Sequence, residues 1–347
     1  MAILLDEVNT STSKRIMPGV VDNFFKAGPL IAYLKSRFTR RWTGPTIQEN
    51  YEYKPMKGGA YKKGATFDVT RRQTRSGIQF TPRYYQVNVT EFLEDLEVEM
   101  AGPTAMFSTL KVDLASAALT LSSILEIAMY HHGQNVGTDR TAELNGLAEA
   151  LSDGSAASWD GNTFTSYGGQ TRADVAPALN SPTGLIPASV AVTSFRMLEH
   201  SYMSCVIGSE RPKLGITTNR EMGFIAETFS PQQKIDVTDP EINWPGIKFN
   251  QATIVVSQYA PGQDGVNDPD IGNYTNSSET FWWLNPGPQG DDAYMRLYIA
   301  QSPKFAFGFT GFKGARDDNQ VSGQILFGGN YTHRASRLSR GLYGLTS

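Results

Sequence analysis

An α+β fold follows from three features of the 347-residue sequence. There is one long stretch of helical period, there are several separate runs of strand-period alternation, and no regular βαβ rhythm joins them. The helical stretch, residues 102–133, organises the rest. Gly102-Pro103 opens it with proline at a first-turn position, where a missing N–H costs nothing. Leu110, Leu114, Ala117, Leu121, Ile124 and Ala128 recur at spacings of four and three, one face of a helix, and Gly133 closes the run. A helix over 104–130 would be ~40 Å long at ~1.5 Å per residue. Only Lys111, Asp113 and Glu126 are charged within it, so a spine covered by protein around most of its circumference is predicted. A membrane span fits less well, because Ser and Thr interrupt the apolar run and Asp113 would sit in lipid.

Before the spine the chain reads as arms. Residues 1–40 have a polar, cap-like start near Asn9, a break at Pro18-Gly19, and apolar anchors at Phe24, Phe25, Leu30, Ile31 and Leu34. Next comes a long two-stranded excursion. Ile47, Tyr51 and Tyr53 alternate with Gln48, Asn50 and Glu52, the period of a half-buried strand. Phe67-Asp68-Val69-Thr70 and residues 85–89 repeat that period on the return, around a Gly- and Lys-rich tip at 54–64. Residues 51–75 hold Lys54, Lys57, Lys62, Lys63, Arg71, Arg72 and Arg75 against Glu52 and Asp68, a local charge of +5 (seven minus two). Glu91, Glu94, Asp95, Glu97 and Glu99 follow with no Lys or Arg among them. An isolated hairpin is marginal in water, so this one needs a surface to lie on. The two charge blocks read either as ordinary solvated faces or as surfaces met by another copy of the chain.

After the spine, Leu144-Asn145-Gly146-Leu147 leads into a Gly/Ser/Asp-rich loop region at 152–169. A helical pattern returns over 187–202, with Val192, Phe195, Met197 and Leu198. Short apolar runs at 212–218, 247–256, 281–285 and 295–299 read as strands, Phe305, Phe307 and Phe309 continue an alternation, and 324–327 reads as the last strand. An exposed loop is expected over 263–278, and the tail from His333 carries Arg334, Arg337 and Arg340.

Composition bounds the function. A net charge of −3 provides no global basic field for gripping nucleic acid. Charged residues are 19% of the chain, below the ~25% usual for soluble domains, which suits a chain that hides surface against partners. Cys205 stands alone, so no disulfide framework or cysteine metal site is expected. The first residues carry no basic region followed by a long apolar core, so no signal peptide is read and a cytoplasmic origin is expected.

Catalytic patterns are poor. The glycines of residues 59–64 have the outer spacing of a phosphate-binding loop, but Ala65-Thr66 stands where Lys and Ser/Thr should follow. His131 and His132 are adjacent and so point about 100° apart on a helix, unlike an i, i+4 metal pair. His200 and His333 belong to no triad pattern, and Cys205 reads as a small buried apolar residue. The three tail arginines could touch phosphate, which is weak evidence for nucleic-acid contact. No enzyme, cofactor or metal is expected.

The order of these elements resembles the major capsid protein of tailed bacteriophages, the Hong Kong 97-type fold. Stretches that carry the resemblance are residues 38–53, Leu144-Asn145-Gly146-Leu147, Leu214-Gly215-Ile216-Thr217-Thr218-Asn219, Trp244-Pro245-Gly246-Ile247-Lys248-Phe249 and Trp282-Trp283-Leu284-Asn285. The resemblance implies an N-terminal arm at 1–40, an extended E-loop hairpin at 41–100 and a spine helix of the P domain at 101–134. It further implies a region that is mainly A domain at 135–280, P-domain strands at 281–315, and a C-terminal A-domain strand and tail at 316–347. The implied function is a coat protein that self-assembles into pentamers and hexamers of an icosahedral shell around double-stranded DNA. Such a shell would be assembled in the host cytoplasm and found in the virion capsid. Implied partners are further copies of the chain, a portal, a separate scaffolding protein and, optionally, a decoration protein, with no membrane. An encapsulin-like compartment shell and a soluble enzyme are the alternatives. At the subunit interface, Lys57, Lys62, Lys63, Arg71 and Arg72 are expected to meet Glu91, Glu94, Asp95 and Glu97 of a neighbour. Some members of the family cross-link through an E-loop lysine. No partner asparagine or assisting carboxylate is matched here, so no cross-link is expected.

Overall fold

The computed structural model describes residues 28–92, 103–183, 193–229, 236–239, 244–311, 313–314 and 320–346. The N-terminal residues 1–27, Phe24 and Phe25 included, and the start of the 187–202 helical pattern lie outside that set. Its elements are α1 (Pro29–Arg37), β1 (Thr39–Trp42), β2 (Ile47–Glu52), β3 (Arg75–Phe80), β4 (Arg83–Phe92) and α2 (Pro103–Tyr130). Then follow α3 (Phe195–Ser204), β5 (Leu214–Thr217), α4 (Asn219–Thr228), β6 (Asp236–Asp239), β7 (Trp244–Phe249), β8 (Ala252–Val256) and β9 (Glu279–Leu284). The chain closes with β10 (Met295–Ala300), β11 (Ala306–Phe309), β12 (Lys313–Gly314), β13 (Gln320–His333) and β14 (Arg340–Leu345).

Two six-stranded sheets organise these elements. In the first, β13 is the shared strand, because its 14 residues are long enough to serve several neighbours. Antiparallel β4 lies along one side of it, from Arg83 opposite Gly329 to Phe92 opposite Gln320. On the other side β10 pairs its C-terminal half, with β11 and β12 pairing further back. β1 runs parallel to β10 at the edge. The second sheet has the order β6-β7-β8-β5-β9-β14. Every residue of β5 and β9 is buried, which is why both read as continuous apolar runs rather than as alternation. Successive side chains of β9 leave by opposite faces. Trp282 packs on Tyr130 of the spine with ring centres 4.9 Å apart, while Trp283 packs against Tyr202, Phe249 and Phe281 in a second core.

Several expectations are corrected. The last strand is β14, not residues 324–327, which are an inner part of β13. The hairpin returns through β3, paired from Ile47 opposite Phe80 to Glu52 opposite Arg75, and not through 67–70 or 85–89. The aromatic alternation at 305–309 is broken by Phe307, whose positive φ of 60° accompanies a register shift against β13. The loop over 263–278 is only partly exposed, with Tyr274 buried.

The spine is one residue longer than expected but less covered. Leu121, Leu125, Ile127, Ala128, Met129 and Tyr130 are buried, whereas Ala115, Ser116, Ala118 and Leu119 are exposed, so among the side chains described from residue 112 onward burial is concentrated in the last ten. The side chain of Leu110 lies outside the described set. Among the described residues this is the one helix long and apolar enough to cross a membrane, over Val112–Tyr130. Its buried acid, Glu126, works inside the fold. Glu126 accepts the backbone N–H groups of Leu30 (3.1 Å) and Ile31 (2.6 Å), so it caps the first turn of α1, where free N–H groups and the helix dipole favour an acceptor. Tyr130 and Ser257 donate their hydroxyls to the same carboxylate. One group thereby ties together α1, the spine and the loop that follows β8.

The Leu144-Asn145-Gly146-Leu147 motif closes the other end of the spine. A Cβ on Gly146 would stand 2.5 Å from the Met129 carbonyl oxygen and 2.7 Å from that of Ala128, so only glycine lets this loop approach the helix end. Asn145 donates its backbone N–H to Asn330 Oδ1 on β13 (3.0 Å) and its side-chain amide N–H to Glu149 (2.9 Å). Glu149 in turn accepts from the backbone of Gly133 at 3.1 Å.

Candidate subunit-contact surface

The hairpin is nailed to the body at its base. Ile47, Glu49 and Tyr51 form the buried face of β2, and Ile78 and Phe80 the matching face of β3. Among them Glu49 receives Arg296 Nη1 at 2.6 and 2.8 Å on its two oxygens, and the Tyr298 hydroxyl at 2.7 Å. Both residues of the pair are almost wholly buried. A dehydrated ion pair of this geometry holds only when its remaining lone pairs are satisfied, which Tyr298 helps to do. This anchor was legible only indirectly, as the acid at the one position where the inward alternation of β2 should be apolar.

Beyond Tyr53 the arm leaves the body. Residues 54–73 belong to no helix or strand, and their one backbone–backbone bond among the described residues is a turn from Ala65 to Lys62 at 2.9 Å. Large apolar side chains are displayed there instead of hidden. Met56 is 78% exposed, Tyr61 68%, Phe67 60% and Val69 89%. Tyr61 and Phe67 already pack edge-to-face with centres 4.9 Å apart, so the tip presents a preformed aromatic knob. Such a surface on an extended arm is a candidate contact site.

Of the charged residues read from the sequence, Lys57 forms an ion pair with Asp68 at 2.6 Å and a hydrogen bond to Thr70. That pairing, together with the Thr70 bonds, holds the Asp68 carboxyl down at about 2. Lys62, Lys63, Arg71 and Arg72 are exposed along the arm. Glu91 sits half-buried near the end of β4, while Glu94, Asp95 and Glu97 lie outside the described residues.

The other candidates fall to structural roles. Cys205 is fully buried and burial pushes its thiol up to about 12, so almost no thiolate forms at neutral pH. Iodoacetamide at pH 8 is expected to leave it unlabelled in the native protein and to label it fully in denaturant, as read by intact mass. Arg340 is buried and donates to Ser204 Oγ (3.0 Å) and the Thr183 carbonyl, which corrects its reading as a phosphate contact. His333 is buried against Ser339 Oγ at 3.0 Å. His131 and His132 line a polar cleft of about 520 Å³ with Arg140, Trp159 and Asp160. Burial pushes the His131 ring down to about 3, so it is neutral and donates through Nε2 to the Asn273 carbonyl at 2.6 Å. Among the described residues no three His, Cys, Asp or Glu side chains converge as metal ligands.

No protein-family model matches the chain, and no curated protein matches it. Solved structures do. The capsid asymmetric unit of cyanophage A-1(L) is similar over 96% of this chain and 97% of that one, at 10% identity and a TM-score of 0.68. The structure of Mycobacterium phage Ogopogo is similar over 96% and 97%, at 14% identity and a TM-score of 0.53. The holo-SrpI encapsulin complex of Synechococcus elongatus PCC 7942 is similar over 94% and 91%, at 8% identity and a TM-score of 0.57. Likeness at such low identity speaks to fold. The chain has the α+β, Hong Kong 97-type fold of tailed-phage capsid proteins, and has it nearly end to end.

Proposed function

We propose that the chain is the major capsid protein of a tailed bacteriophage. It self-assembles into pentamers and hexamers of an icosahedral shell that encloses double-stranded DNA. The observation that carries this reading is the combination of a capsid fold across 96% of the chain with an anchored arm that displays apolar side chains to solvent. A closed shell needs heterologous contacts that curve and close, and an arm reaching across a neighbour supplies one. On this reading hairpin, spine and first sheet form the E-loop and P domain, and the second sheet is the core of the A domain. The protein works without catalysis, is assembled in the host cytoplasm and resides in the virion. Portal, a separate scaffolding protein and an optional decoration protein are its partners besides itself, and the basic residues of the arm meet the acidic run 91–97 of a neighbour.

Replacing residues 54–73 with a short Gly-Ser turn tests this reading. The truncated subunit is expected to keep the native circular dichroism and melting of the wild type but to form no fast-sedimenting particles. Truncated subunits that assemble as well as wild type would overturn the role of the arm. The encapsulin likeness supports a second reading, a compartment shell. The content of nuclease-treated particles separates the two, since genome-length DNA belongs to the first and packaged protein to the second.

A further inference from the structure

This inference rests on the capsid-shell reading and names one contact within it. We infer that residues 66–72 of the arm add as a strand to the outer edge of β4 in a neighbouring copy, with Arg71 and Arg72 brought to the Glu91 end of that strand.

The donor segment has the sequence of a strand and lacks its ladder. Phe67-Asp68-Val69-Thr70 alternates aromatic and β-branched side chains with polar ones, the composition that pleated surfaces favour. Yet among the described residues the segment has no strand partner. Its two backbone edges are not equivalent. The Thr70 N–H is taken by Asp68 Oδ1 at 3.0 Å, so the edge formed by even-numbered residues is partly used locally. The opposite edge, formed by Phe67, Val69 and Arg71, is the one open to a ladder.

The acceptor is the longest strand edge without a ladder partner among the described residues. β4 spans ten residues and pairs only with β13 among the described residues. Tyr84, Gln86, Asn88, Thr90 and Phe92 stand exposed along it. Natural proteins cover or blunt edges of this length, because unpaired N–H and C=O rows recruit further strands. Strand addition of this kind draws affinity from main-chain bonds and specificity from alternate side chains. Charge selects the occupant. Residues 51–75 carry +5, so arm-to-arm pairing would set like charges side by side, whereas β4 runs toward Glu91 and the acids that follow it in sequence. At ~3.3 Å per residue the arm can carry its tip up to about 35 Å from Tyr53, far enough to cross onto a neighbour.

Hydrogen exchange read by mass spectrometry, on unassembled subunits and on shells of the unaltered protein, tests the contact. Amides of 66–72 and of β4 are both expected to exchange at least about tenfold more slowly in shells. A Val69→Pro variant removes one ladder N–H from a segment that is already extended, and Val69→Ala keeps it. Val69→Pro subunits are expected to melt like wild type but to need at least about tenfold more protein to assemble, with Val69→Ala close to wild type. Shells in which 66–72 exchanges as fast as in free subunits overturn the strand addition alone. Protection of 66–72 without protection of β4 overturns the acceptor. Failure of the unaltered protein to form shells under any condition overturns both this contact and the capsid reading.

Discussion

Glu126→Ala is expected to cost about 4 kcal/mol or more, because it leaves two backbone N–H groups of α1 and two hydroxyls buried without an acceptor. On the scale of a large domain that is a fall of about 10 °C in melting temperature. Glu126→Gln should be milder, since one amide oxygen still accepts from α1 while its NH₂ group faces a donor. The carboxyl also leaves a signature in pH. Burial pushes it up to about 7 in the folded protein, above the ordinary value near 4.5 that it regains on unfolding. The folded state therefore binds the extra proton between those values, and stability contributed by this group falls as pH rises from about 4.5 to about 7. Burial raises Glu221 to about 7 as well, so its slope has the same sign. The measurement is thus a difference. Wild type is expected to lose about 3 kcal/mol more than Glu126→Gln over that range in denaturant titrations, and identical slopes would refute the assignment.

Glu49→Ala is expected to cost about 3–5 kcal/mol by leaving the Arg296 guanidinium buried and uncompensated. The loss should be local in structure and large in assembly. The hairpin stem loses its main polar anchor, so exchange protection of β2 and β3 should collapse while that of β9 stays. Replacing both partners together, as Glu49→Met with Arg296→Met, should recover most of the stability, since an apolar pair of similar size carries no desolvation cost. A double variant no more stable than Glu49→Ala would show that the pair does more than satisfy itself.

The legible part of this fold was written in periodicity. The spine announced itself through the recurrence from Leu110 to Ala128, and β2 through the alternation of Ile47 and Tyr51 with polar neighbours. Strand-like composition misled at Phe67-Asp68-Val69-Thr70, where the side chains suit a ladder but no strand stands beside them among the described residues. Local pattern reports what a segment can pair with, and the partner is a matter of the rest of the assembly. The anchoring acids were hidden for a related reason. The partners that bury Glu49 and Glu126, Arg296 and the α1 backbone, stand 247 and 95 or 96 residues away in sequence. The middle of the spine shows the converse, since Ala115, Ser116, Ala118 and Leu119 are exposed on a helix apolar enough to be covered all round.

Velocity sedimentation of the expressed protein, followed by negative-stain electron microscopy of the fast fraction, tests the central claim most directly. Co-expression with the products of neighbouring genes supplies any scaffold it requires. Closed particles of uniform diameter, built from rings of five and six subunits, are the expected result. A chain that remains a sharp monomer under both conditions would contradict the capsid reading.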